Sequence, residues 1–106
     1  MNKIKVIDIV NTEYCINPER GNRLYHVILE YYQERKPVEI SFEGIKVICT
    51  HFIDSSISLC YNPDVFDIKW FDNNVKYVFA TEYQEELVQK CIDNAKKWYA
   101  ERLNKK

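Results

Sequence analysis

The stretch Val38–Tyr61, VEISFEGIKVICTHFIDSSISLCY, decides how the rest of the chain reads. Val38, Ile40 and Phe42 alternate with Glu39 and Ser41, the period-two pattern of a strand with one buried face. Glu43–Gly44 supplies a turn, and Ile45, Val47 and Ile48 return the chain to the core. A helix is predicted from Thr50 to Cys60, burying Phe52, Ile53, Ile57 and Cys60, with Thr50 at the place where Thr often caps a helix. Asn62–Pro63–Asp64 ends it.

Upstream, Lys3–Val10 reads as a strand with apolar residues on both faces, followed by a connection with a short extended piece around Tyr14–Ile16. Asn17 and Pro18 are a good N-cap and first helical residue, and Leu24, Val27, Ile28 and Tyr31 form one apolar stripe. Pro37 bars the helix from continuing. Downstream, Val65–Phe71 reads as a third strand and Asp72–Asn74 as a break. Val75–Ala80 suits either a strand or a helix. Helix is favoured, because Val75, Val78, Phe79, Tyr83, Leu87 and Cys91 share a helical stripe. From Thr81 a helix is secure, with Leu87, Val88, Cys91, Ala95, Trp98 and Tyr99 inward. The pattern is that of a single α/β domain over residues 1–106, β-α-β-α-β-α in order. It predicts a parallel sheet of few strands with helices packed mainly on one face.

Fifteen basic and 16 acidic side chains leave a net charge of −1, so no global field draws in nucleic acid. Lys96, Lys97, Arg102, Lys105 and Lys106 gather at the end, as solvated cations do at a helix C-terminus. Cys15, Cys49, Cys60 and Cys91 form no CxxC pair, and His26 and His51 complete no zinc pattern, so neither a metal nor a cofactor is expected. The opening MNKIKVIDIV is too charged for a secretion signal, and no apolar run approaches the roughly 18 residues of a membrane span. These features predict a reduced, soluble, cytoplasmic domain with no membrane contact.

No phosphate-binding glycine loop exists, and Asp54, Asp64, Asp67 and Asp72 lack calcium-loop spacing. Cys49 and His51 are near neighbours, but residues so placed at a strand-to-helix turn point apart, so no catalytic thiol is expected. A non-enzymatic role follows. The aromatic residues, eight Tyr among them, exceed what one small core hides. Tyr and Trp left at the surface anchor protein interfaces, with a protein partner or with a second copy as a homodimer.

The segment ISFEGIKVICTHFIDSSI resembles the central segment of the bacterial STAS-like family of unknown function, with Phe42, Gly44, Ile48, Thr50, Phe52 and Asp54 at matching places. NPERGNRLYHVIL is similar to the family's Arg/Gly helix start through Arg20, Gly21 and Leu24, and the resemblance spans roughly residues 17 to 95. The broader relatives are the STAS domains, including anti-sigma-factor antagonists: binding modules contacted by a histidine-kinase-like ATPase and switched by a serine in Asp-Ser-Ser-Gly. Counted from Gly44, that motif falls on Cys49, Thr50, His51 and Phe52, whereas Asp54–Ser55–Ser56 is out of register. The hydroxyl is kept at Thr50; the acidic neighbour and the glycine are not. The resemblance implies a protein-binding regulatory module whose site comprises Gly44, Cys49, Thr50, His51, Phe52 and Asp54, with a kinase-like ATPase or sensor as partner and phosphorylation at Thr50 as the switch. The alternative is a small-ligand or nucleotide sensor that uses the same helix N-terminus as an anion site.

Overall fold

A computed structural model describes residues 1–104; Lys105 and Lys106 of the basic cluster lie outside them. The chain runs β1 (Asn2–Lys5), α1 (Val6–Val10), β2 (Tyr14–Cys15), α2 (Pro18–Gln33), β3 (Val38–Ser41), β4 (Val47–Ile48) and α3 (Thr50–Asp54). A 3₁₀ turn (Ile57–Tyr61), α4 (Ile68–Asn74), β5 (Val75–Val78) and α5 (Glu82–Asn104) complete it. Two parallel sheets form among the described residues: β1-β3-β5, with β3 central, and the small pair β2-β4. In the first, Ile4 lies opposite Ile40 and Ile40 opposite Tyr77. That face meets the core, where Ile40, Phe42, Phe52, Leu24, Ile28 and Val88 are fully buried. The opposite face carries the cross-strand row Lys3, Glu39 and Lys76, with the Lys3 and Glu39 side chains 4.0 Å apart. One wet face and one covered face make this a small α/β domain of the expected class.

The long helix starts where its sequence dictates. Asn17 accepts a hydrogen bond from the Glu19 N–H at 2.7 Å, and Pro18 takes the first helical position. Gly21, Leu24, Ile28 and Tyr32 are its buried line, while Val27 and Tyr31 flank it half-buried. The chain leaves the helix after Gln33, before Pro37 is reached. Arg35 adopts a left-handed φ of 54° and lays its guanidinium 4.0 Å from the Tyr32 ring centroid.

Four expectations are corrected. The strand over Lys3–Val10 stops at Lys5 and becomes α1, because Val6 and Val10, both fully buried, are spaced i, i+4 as well as in alternation. The helix over Thr50–Cys60 is divided. The Ser55 hydroxyl donates to the His51 and Phe52 carbonyls and the Ser56 hydroxyl to Phe52, which ends α3 at Asp54 before the 3₁₀ turn begins. The strand over Val65–Phe71 is instead a turn and α4, capped by Asp67, whose carboxylate accepts from the Trp70 N–H at 3.2 Å. Val75–Val78, favoured as helix, is strand β5, paired along β3 from Val38–Val75 to Ser41–Val78. The last two exchange their types while the coarse alternation of strand and helix is kept.

Candidate functional site

The turn that carries the predicted site is held from three sides. Phe42 N–H donates to the Val78 carbonyl at 2.8 Å, closing the end of β3 against β5. Gly44 then turns the chain with φ +85°, a conformation L side chains rarely adopt, and a Cβ there would also approach Ile7 Cδ1 to 3.1 Å. Ile45 is buried, and its carbonyl accepts from Gln84 Nε2 at 2.9 Å while Gln84 Oε1 accepts from the Ala80 N–H. Gln84 is only 2% exposed, so this one side chain ties the entry of α5 to the turn. It is absent from the sequence-derived set, since an amide among charged residues on a long helix carries no local mark of burial.

Next, the small sheet delivers the chain to α3. Lys46 and Val47 N–H groups donate to the Glu13 carbonyl, and the Cys49 N–H donates to the Cys15 carbonyl at 3.0 Å. Tyr14 pairs with Val47 and Cys15 with Ile48. Cys15 and Ile48 point into the core, so Tyr14, Val47 and the next outward residue, Ile16, stand on the outer face at 51%, 42% and 53% exposure. Cys49 follows in extended conformation (φ −124°, ψ 165°) as the residue before the helix, and its thiol donates to the Ile16 carbonyl at 3.5 Å. Burial, with Cys49 alongside adding to it, pushes the Cys15 thiol up to about 12.

Thr50, an expected cap, is instead the first helical residue; Cys49 holds the cap position without a side-chain cap bond. Thr50 and His51 are exposed, and Phe52 is fully buried beneath them as the anchor of α3. Asp54 sits at the far end of this short helix, exposed, accepting from the Ser58 hydroxyl at 3.2 Å. The structure therefore brings Cys49, Thr50 and His51 together at one edge of the Tyr14–Ile16–Val47 surface. Gly44 and Phe52 support that edge, and Asp54 lies apart. Asp54–Ser55–Ser56, expected inside the Thr50–Cys60 helix, instead closes α3.

Two chemistries are weakened by this geometry. α3 has five residues, so few aligned peptides stand behind its start and an anion gains little there. Among the described residues no group of three or more His, Cys, Asp or Glu side chains is placed to hold a metal ion. No helix of the described residues is long and apolar enough to cross a membrane.

What the surface does offer is a compact apolar patch, Tyr14, Ile16 and Val47, rimmed by the Lys46–Glu13 ion pair at 3.2 Å and by the hydroxyl-bearing turn. Patches of this kind on small proteins are commonly contact sites. The outward residues of β2 and β4 were readable by alternation, but two strands of two residues each become one surface only when they pair.

No curated protein and no solved structure matches the chain. Residues 20–69 match the model of a family described as a STAS-like domain of unknown function. That span runs from Arg20 and Gly21 in α2 through β3, the Gly44 turn, β4, α3 and the 3₁₀ turn into α4. Over this segment, which contains every predicted site residue, the chain is similar to the family of STAS-like domains of unknown function.

Proposed function

We propose that the protein is a non-enzymatic regulatory module that docks a protein partner through the Tyr14–Ile16–Val47 face and the adjoining Cys49–Thr50–His51 turn. The observation that carries this reading is the joining of an exposed apolar patch to an exposed threonine at the register position of the STAS switch. On this reading residues 1–106 act as one STAS-like unit in the cytoplasm, and the partner is a protein of the kinase-like ATPase or sensor class.

Phosphorylation of Thr50 is the proposed switch. A phosphate adds about −1.5 to −2 charges at neutral pH. Set beside Ile16 and Val47, those charges would need to be stripped of water for a partner to close over the patch. The five-residue α3 offers little to offset that cost, so modification releases the partner.

The test is quantitative affinity capture from the native host, followed by binding measurements on the purified partner. Ile16→Asp is expected to abolish binding, and Thr50→Glu to weaken it about tenfold or more. An unchanged partner affinity for Ile16→Asp sinks the docking face. Thr50 found unmodified in cells, together with full affinity for Thr50→Glu, removes the switch and leaves the docking face standing.

A further inference from the structure

A second surface lies on the other side of α3. A groove of about 370 Å³ runs between α3, the 3₁₀ turn and α5, walled by Leu59, Cys91, Ala95 and Tyr99, with Asp54 at its rim. Its lining is mostly apolar. Trp98 stands at its edge, half-exposed, packed edge-to-face against Tyr99 at 4.8 Å between centroids. The Arg102 guanidinium lies over the outer face of that arrangement, 4.5 Å from the Trp98 ring centroid. One face of the molecule thus carries both a half-exposed aromatic–cation pair on α5 and, beside it, an apolar slot with a carboxylate at its rim.

We infer that this face is a twofold self-association surface, in which Trp98 of each copy fills the Leu59–Cys91–Ala95 groove of the other and Arg102 meets the opposite Asp54. Two observations carry it. The projecting element and the slot sit on the same face of the same chain, which is what a twofold contact needs, since each copy then gives and receives the same group. The charges match: the cation travels with the projecting ring, and the slot bears an exposed carboxylate. A large rigid aromatic seated in a pocket and ringed by polar residues is the usual anchor of such contacts. The contact is confined to part of α5 and the edge of α3 and the 3₁₀ turn, so the dimer is weak and concentration-dependent. This surface is separate from the Tyr14–Ile16–Val47 face and does not rest on it.

Sedimentation equilibrium over the micromolar range tests it on the full chain. The wild type is expected to double its mass with concentration, and Trp98→Ala to weaken association by about thirtyfold or more. Asp54→Arg and Arg102→Asp should each weaken it, and the two together should restore it, because the exchanged charges meet again across the twofold axis. A wild type that stays monomeric throughout overturns the inference, as does a dimer indifferent to Trp98→Ala. So does a double charge swap that recovers nothing. The charge variants lie on exposed positions, so they decide the matter even if Trp98→Ala folds poorly.

Discussion

Gly21→Ala sets two effects of opposite sign against each other. In the interior of an ordinary helix this change stabilises by about 1 kcal/mol, because Gly is the poorer helix former. Gly21, however, is buried where α2 crosses α3. A Cβ there would stand 2.6 Å from the Phe52 carbonyl oxygen, inside the 3.4 Å at which ordinary contact begins, and would collide with the Ser55 hydroxyl oxygen. The carbonyl is backbone and cannot rotate away, so the two helices must part by roughly 0.8 Å. Overpacking of this kind costs about 1–3 kcal/mol. Displacing the Ser55 hydroxyl from the His51 and Phe52 carbonyls adds about 1 kcal/mol for the weakened hydrogen bonding. Set against the gain in propensity, the expected net effect is a destabilisation of about 1–3 kcal/mol. Urea unfolding followed by circular dichroism reads it as a lower midpoint at unchanged slope. Adding Ser55→Ala should recover only the hydroxyl's share, since the carbonyl conflict persists. A Gly21→Ala protein as stable as the wild type, or more so, would refute the close crossing of α2 and α3 on which the position of the Thr50 turn depends.

Two further outcomes are expected. Gln84→Ala strands the buried Ile45 carbonyl, while water can reach the exposed Ala80 N–H, and should destabilise by about 1–3 kcal/mol in the same assay; a loss under about half a kcal/mol would mean the turn at Gly44 does not lean on α5. Stability should also fall in alkali: burial holds the Cys60 thiol above its ordinary value of 9.0, and the Tyr61 and Tyr77 phenols above 10.0, so the unfolded chain releases those protons first. The stability they contribute is whole below pH 9 and is lost from there upward, at up to about 1.4 kcal/mol per pH unit for the fully buried Cys60. Unfolding free energies that stay level from pH 8 to about pH 10.5 would contradict this, and Cys60→Ala should flatten the first part of the decline.

The amino-acid sequence alone determined the elements whose signals are local. Asn17–Pro18 starts α2 because a cap and a fixed φ act within three residues, and Val38–Ser41 is a strand because its alternation matches one buried face. The family segment was equally legible, since the Gly44 turn and the residues from Cys49 to Phe52 keep their spacing whatever packs around them. Tertiary structure decided the rest. Val75–Val78 fits both a helical stripe and a strand; the unpaired side of β3 chose strand, because pairing satisfies a whole row of backbone groups at once. Val65–Phe71, expected as a strand, went the other way once Asp67 could cap a helix and Phe71 could reach the core. The candidate docking face was least visible of all. Tyr14 and Ile16 lie some thirty residues from Val47, and only the pairing of β2 with β4 turns three ordinary outward side chains into one surface beside Thr50.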